Sequence, residues 1–170
     1  MTNLFRAGLG FDSHRLGNGG PIRIGGIDIP ADVHAIGHSD ADVLLHALTD
    51  ALLGSIAEPD IGRLFPDDAA ENRSRDSADF VVEAVRRLRA SGYEIGNLDC
   101  VISAQQPKLS PYIDQMRARI AEILDVAVAD VGVKAKTGEG VGPVGHAEAI
   151  EARCVVLVYR VNAVTESLSD

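Results

Sequence analysis

The most chemically loaded stretch of the chain is His38-Ser39-Asp40-Ala41-Asp42-Val43-Leu44-Leu45-His46-Ala47-Leu48-Thr49-Asp50. Asp42, His46 and Asp50 are spaced i, i+4, i+8, which predicts one stripe along an otherwise apolar helix. Ionisable groups buried on such a helix are costly unless they are paired or bind a metal. Two readings follow: a cation site, or a hydrogen-bonded core network in which Asp42 or Asp50 holds His46. Earlier in the chain, Asp12-Ser13-His14 closes an alternating run. Side chains alternate across a strand, so Asp12 and His14 point to the same side, as a metal pair or as an ordinary strand end with an exposed histidine. Aspartate and histidine without nearby cysteine suit a borderline cation such as zinc, manganese or cobalt. Three protein ligands would leave a position open for water or substrate.

Two further segments suit an anionic ligand. Ala104-Gln105-Gln106-Pro107-Lys108-Leu109-Ser110-Pro111 sets a lysine between prolines just before an expected helix, whose N–H groups and dipole favour phosphate. An ordinary turn with a solvated lysine is the plainer reading. Lys134-Ala135-Lys136-Thr137-Gly138-Glu139-Gly140-Val141-Gly142-Pro143 leaves a strand for a Gly-rich loop with donors and one carboxylate, Glu139, able to hold magnesium. It lacks the Gly-Lys-Ser/Thr of a P-loop, and a plain flexible loop reads equally well. Asp60-Ile61-Gly62-Arg63-Leu64-Phe65-Pro66-Asp67-Asp68 is a structured turn whose small, apolar and acidic residues would also suit a sugar-like polyol.

The elements that must position these groups follow from periodicity. Leu4 to Asp12 reads as a strand, and Pro21 to Pro30 as a hairpin about Gly25-Gly26. Ser39 and Asp40 offer N-cap chemistry for a buried helix from about Ala41 to Ile56. A loop from Glu58 to Arg75 precedes a helix opened by Asp76-Ser77, running over about Ala78 to Ala90 and stopped at Gly92. Strands are expected at Leu98–Ala104, Val131–Ala135 and Ala152–Val161, with a helix from near Pro111 to Leu124. The expected fold class is α+β: one domain over residues 1–162, a sheet with helices packed on one face, and a polar tail at 163–170. His34 fits no motif and reads as a surface loop residue.

The chain has 170 residues and a formal charge of −9, from 16 Lys+Arg against 25 Asp+Glu. That acidity argues against nucleic acid and anionic membranes, which need a basic face. Aromatic residues make up only 4%, which speaks against base-stacking platforms. No apolar run has the length of a membrane span, the first residues lack a signal-peptide stretch, and two cysteines are too few for a disulfide framework. The expectation is a reduced, cytoplasmic protein.

Gly10-Phe11-Asp12-Ser13-His14, then His38-Ser39-Asp40-Ala41-Asp42 with His46-Ala47-Leu48-Thr49-Asp50-Ala51-Leu52-Leu53-Gly54, closely resembles the 2-C-methyl-D-erythritol 2,4-cyclodiphosphate synthase family. Asp60-Ile61-Gly62, Leu64-Phe65-Pro66-Asp67, Asp76-Ser77, Pro107-Lys108 and Gly142 to Glu148 continue the match in order, over about Arg6 to Arg160. The resemblance implies a homotrimer of α+β subunits with active sites between neighbours. It implies conversion of 4-diphosphocytidyl-2-C-methyl-D-erythritol 2-phosphate to the 2,4-cyclodiphosphate with release of CMP, in the non-mevalonate route to isoprenoid precursors. Carried over by motif, Asp12, His14 and His46 would hold Zn2+ (or Mn2+/Co2+). Glu139 would serve Mg2+ or Mn2+ on the substrate diphosphate, and His38 and Thr137 would stabilise the transition state. Asp12, His14, His38 and Ser39, with Asp60, Ile61, Gly62, Phe65, Pro66, Asp67, Asp68 and Ala69, would surround the methylerythritol phosphate. Ala104, Pro107, Lys108, Leu109 and Ser110, with Ala135, Lys136 and Thr137 of an adjacent subunit, would surround the cytidine and its phosphates. Gly138, Glu139, Pro143 and His146 would complete the contacts.

The chain departs from the family pattern in two places. The loop commonly reads Lys-Ala-Thr-Thr-Thr-Glu-Lys-Leu-Gly; here Lys136 adds a charge, and Gly138 and Gly140 are expected to loosen the backbone. Gly-Arg-Gly-Glu-Gly becomes Gly145-His146-Ala147-Glu148-Ala149, so an isoprenoid-diphosphate site on the trimer axis would be pH-sensitive or absent. Two other function classes fit the same residues: a metal-dependent phosphoesterase using water, and a non-enzymatic trimer binding isoprenoid phosphates.

Overall fold

In the computed structural model, which describes residues 4–37, 39–66 and 75–161, β1 (Phe5–Asn18) is a long strand with two distinct faces. Gly8, Gly10, Asp12 and His14 share one face, and Leu9 and Phe11 the other. The strand runs well past the expected end at Asp12. After it come the hairpin β2 (Ile22–Ile24) and β3 (Ile27–Ile29), then β4 (Val33–Ile36), which the sequence reading missed.

Helix α1 (Val43–Ser55) starts two residues later than expected, because its N-cap is Asp42 rather than Ser39 or Asp40. The Asp42 side chain accepts from the N–H groups of Leu44 and Leu45 and, across the interior, from those of Gly25 and Gly26. One buried carboxylate therefore starts the helix and ties it to the β2–β3 turn. The expected loop contains a short helix, α2 (Ile61–Leu64), capped by Asp60. Helix α3 (Ser77–Ala90), capped by Asp76, leads to β5 (Tyr93–Ser103), and Gly92 turns the chain at φ 82°. A 3-10 turn at Ser110–Tyr112 enters α4 (Ile113–Leu124), followed by β6 (Val131–Lys136), the short α5 (Gly142–Gly145) and β7 (Ala149–Arg160).

Five strands form one sheet in the order β4-β1-β7-β5-β6, antiparallel except for the β5–β6 pair. The buried core runs from the β2–β3 hairpin through α1, α3 and α4 to the inner residues of β5, β6 and β7. The α+β layer is as expected, with helices on one face. The opposite face of β1 and β7 is apolar yet open: Leu9 pairs with Val155 and Ala7 with Leu157, and Leu9 is 69% exposed. The expected tail at 163–170 lies outside the described residues.

The approach of α1 to β1 is unusually close. A Cβ placed on Gly8 would stand 1.8 Å from the Ala51 carbonyl oxygen, and one on Gly10 1.8 Å from that of Ala47. No side chain fits in those gaps, so both positions require glycine. Gly10→Ala should force α1 off the sheet and lower unfolding stability by about 3 kcal/mol, the upper end of ordinary overpacking costs, read by urea denaturation. A stability equal to wild type would refute this account of the packing.

Candidate metal centre and adjoining clefts

With α1 pressed onto β1, the next residues along each element meet. Asp12 and His14 rise from the helix-facing side of β1, and His46 descends from the first turns of α1. Asp12 Oδ2 lies 3.0 Å from His14 Nε2 and 3.1 Å from His46 Nδ1, and the two ring nitrogens are 3.2 Å apart. These three atoms form the one cluster of potential metal ligands among the described residues. Gly37 backs the His14 ring, 3.2 Å from where its Cβ would be.

The triangle has the dimensions of a coordination face. Zinc bonds of about 2.0–2.2 Å in a tetrahedron put neighbouring ligand atoms about 3.3–3.5 Å apart. The observed separations would therefore fit such an ion with small side-chain adjustments. The local charge balance agrees. Burial alone would raise the Asp12 carboxyl, but hydrogen bonds and charges from His14 and His46 hold it well below the usual carboxylate range. Burial opposes an imidazolium at His46, yet Asp12, with Asp42 and Asp40 behind it, raises its pKa above the ordinary histidine value. Asp12 is thus a committed anion with two imidazoles drawn onto it.

The other aspartates of the predicted stripe do different work. Asp42 caps α1, and burial raises its pKa despite the backbone N–H groups of Gly26, Leu45 and Gly25. Asp50 accepts from the Ile61 N–H and so fixes the start of α2; burial raises its pKa as well. Neither holds His46, whose carboxylate partner is Asp12.

A cleft of about 440 Å3 opens over the triad, lined by Asp12, His14, Ser39, His46, Ile61, Gly62 and Phe65 from the expected set. Ile36, Gly37 and Phe80 also line it, although no sequence signal marked them. Phe80 packs against Phe65 with centroids 4.7 Å apart, giving the cleft an apolar wall. Asp60 turns away to cap α2 through the Arg63 N–H, and Pro66 is exposed. His38, Asp67, Asp68 and Ala69 lie outside the described residues.

A second cleft, of about 350 Å3, is lined by Ala104, Gln105, Pro107, Lys108, Leu109, Ser110, Ala135, Lys136 and Thr137. The sequence reading divided these segments between subunits, but one chain brings them together, because parallel pairing sets Ser103 beside Lys136. Ser13, Glu151, Ser103 and Lys136 occupy one row across the sheet, which sets the β1 and β6 backbones about 14 Å apart at three strand spacings. In the loop beyond, Thr137 Oγ1 donates to Glu139 Oε1 at 2.8 Å, and Glu139 sits at φ 51°. Gly138 does not loosen this loop as expected. It packs backbone to backbone on the α5 turn, where a Cβ would stand 2.3 Å from the Gly145 nitrogen. Pro143 lies in α5, and His146 is exposed at its C-terminal end.

The model of the YgbB family matches residues 5–159. The chain belongs to this family. It is 67% identical over 156 residues to the 2-C-methyl-D-erythritol 2,4-cyclodiphosphate synthase of Rhodopirellula baltica, covering 92% of this chain and 94% of that one. Among solved structures, the bifunctional IspDF from Campylobacter jejuni superposes with TM-score 0.88 at 35% identity; it covers 92% of this chain, which spans 42% of that longer polypeptide. The Plasmodium falciparum IspF–CDP complex superposes with TM-score 0.83 at 31% identity, covering 94% of this chain and 99% of that one. This YgbB-family chain is therefore an enzyme of the cyclising lyase type that its relatives' names describe.

If the triad is a metal site, Zn2+ at 100 times its dissociation constant should stabilise metal-free protein by about 2.7 kcal/mol. That gain should register as a raised Tm in calorimetry and be lost in His46→Ala. An equal Zn2+-dependent rise in His46→Ala would exclude the triad as the site.

Proposed function

We propose that this chain converts 4-diphosphocytidyl-2-C-methyl-D-erythritol 2-phosphate to 2-C-methyl-D-erythritol 2,4-cyclodiphosphate and CMP in the non-mevalonate pathway. The observation that carries this reading is the Asp12–His14–His46 triangle opening into a partly apolar cleft, on a chain that also bears a separate lysine-lined one. The reaction forms one P–O bond, from the 2-phosphate to the β-phosphorus. It breaks the bond between the β-phosphorus and the bridging oxygen, and CMP leaves with the electron pair. Anion must approach anion, so positioning and charge neutralisation dominate, with little acid–base work for the protein.

Asp12, His14 and His46 would hold Zn2+, or Mn2+ or Co2+ in its place, and Glu139 with the diphosphate would hold Mg2+ or Mn2+. These ions supply Lewis acidity and a counter-charge to the phosphates. A single exposed carboxylate suits magnesium, which keeps most of its waters and takes remaining ligands from phosphates. Ile36, Ile61, Phe65 and Phe80 would bind the methylated carbon chain and exclude water from the reacting phosphates. Ser39 would donate to a phosphate oxygen, and Lys108, Lys136 and Thr137 would meet the cytidyl diphosphate. The Thr137–Glu139 hydrogen bond holds the carboxylate in place. His38 and Thr137 would stabilise the transition state. Asp60, Pro66, Asp67, Asp68 and Ala69 would line the methylerythritol phosphate, and Pro143 and His146 would border the phosphate side.

We also propose a homotrimer built on the open sheet face, with each metal cleft completed by a neighbour's cytidine cleft. Leu9, Phe11, Val155 and Leu157 form a continuous apolar strip that a second copy would bury. The working unit is taken as residues 1–162 in the cytoplasm, without nucleic acid or membrane partners. Among the described residues, no helix is long and apolar enough to cross a membrane.

Incubation with substrate, Zn2+ and Mg2+ should yield CMP and the cyclic diphosphate in equal amounts. An open-chain phosphate would favour the phosphoesterase reading, and no turnover the binding-module reading. His46→Ala should abolish CMP release, whereas Glu139→Ala should shift its Mg2+ dependence to higher concentration and lower the rate about 100-fold, the scale of losing one preorganised charge contact. Full activity of metal-free His46→Ala would overturn the scheme. In solution the protein should have three times the 18.0 kDa chain mass, and Leu9→Glu should reduce it toward one chain in light scattering. A wild-type monomer with full activity would refute the shared-site arrangement.

A further inference from the structure

His46 uses Nδ1 toward Asp12 and His14, which leaves Nε2 facing the protein. Two hydroxyls meet that nitrogen: Ser77 Oγ at 2.9 Å and Ser39 Oγ at 3.0 Å. Their surroundings differ. Ser77 is fully buried, and its hydroxyl donates to Asp40 Oδ1. Its proton is therefore committed, and toward His46 the oxygen can only accept. Asp40 is anchored in turn, Oδ2 accepting from Arg23 Nε at 3.0 Å and from the Ser77 N–H at 3.1 Å, and Oδ1 from the Asp42 N–H at 3.2 Å. Arg23 is itself held by Asp28 and Asp76.

We propose that Ser77 and Asp40, backed by Arg23, are positioning residues of the metal centre: they fix His46 as the Nε2–H tautomer, with Nδ1 free to bind the metal. The chain of donors runs one way, from His46 Nε2–H to Ser77 Oγ and from Ser77 O–H to Asp40. Partners of this kind orient a ligating imidazole and make it a better donor to the metal. Ser39 accepts the Ala41 N–H and shares the same His46 proton, so its own hydroxyl hydrogen remains available to the cleft that it lines. The two serines thus divide the work, Ser77 orienting the ligand and Ser39 facing what binds above it. The relay joins three separate elements at His46: the β2–β3 hairpin through Arg23, the loop before α1 through Asp40, and the first residue of α3.

This proposal rests on the metal reading of the triad, and the test separates the two. Zn2+ affinity is measured by competition with a chromogenic chelator, and Co2+-loaded protein is examined by its visible absorption bands. Wild type should bind one Zn2+ per chain. Ser77→Ala and Asp40→Asn should each bind Zn2+ about 10- to 100-fold more weakly and shift the Co2+ bands, and Ser77→Thr, which restores the hydroxyl, should recover most of the affinity. Gly92→Ala strains the far end of α3 at its positive φ and serves as the control: it should lower Tm yet leave Zn2+ affinity and Co2+ bands unchanged. Wild-type affinity and an unshifted Co2+ spectrum in Ser77→Ala would overturn the relay alone. Weakening by Gly92→Ala equal to that by Ser77→Ala would reduce the effect to helix stability and also overturn it. A wild-type protein that binds no Zn2+ would overturn the metal reading beneath it.

Discussion

The site depends on one steric fact, the absence of side chains between α1 and β1. Gly8 and Gly10 let the helix carbonyls of Ala51 and Ala47 sit where Cβ atoms would otherwise be. A sheet normally holds a helix off by the thickness of its side chains. Here that layer is missing over two turns, and His46 consequently reaches Asp12 at hydrogen-bond distance. The same contact positions the α1 N-terminus, and through Asp42 the β2–β3 hairpin that carries Arg23. Packing, the candidate metal triad and the hydrogen bonds behind it are therefore one construction rather than three.

Within it, four nearby aspartates are separated by their partners. Asp42 meets only backbone N–H groups and the interior, Asp50 meets the start of α2, and Asp40 meets a hydroxyl and a guanidinium. Only Asp12 faces two imidazoles and a cleft. Burial raises the pKa of Asp42 and Asp50, whereas the two histidines depress that of Asp12. Similar side chains thus become a cap, a brace, a link to a buried hydroxyl and the anion of a candidate metal triad through environment alone.

The contrast explains what could be read in the sequence. Alternation in β1 put Asp12 and His14 on one face, and the structure agrees, because strand parity is a local property. The i, i+4, i+8 stripe was also real as a pattern, but only His46 joins the candidate metal triad, because tertiary backbone donors claim Asp42 and Asp50. Such donors, the Gly25, Gly26 and Ile61 N–H groups, lie far off in sequence or give no side-chain signal. Ser77 was legible only as part of a helix start; its contact with His46 joins residues 31 apart. Strand β4 has only four residues, too few to establish a period, and α2 and α5 are single turns within loops. Phe80 looked like ordinary core and became part of a cleft wall because α3 crosses over the triad.

The arrangement also resolves how a chain of net charge −9 can handle a polyanion. Among the described residues, part of this acidity is paired locally: Arg23 takes three aspartates, Glu83 takes Arg86 and Arg87, and Asp99 takes Lys134. Glu83 illustrates the extent, its pKa lowered to about 2 chiefly by its bond to Arg86. In the two clefts the balance changes. Lys108 and Lys136 border the second cleft with no carboxylate among its lining residues, while Asp12 in the first is matched by two imidazoles. Net charge therefore says little about the field that a ligand meets over a few ångströms. What matters is which residues line the two clefts, and the single row Ser13–Glu151–Ser103–Lys136 fixes those positions relative to one another. A shift of that row by one residue would reverse which side chains face the helices and dismantle both clefts together. Strand register is thus as much a determinant of the chemistry as any ligand residue.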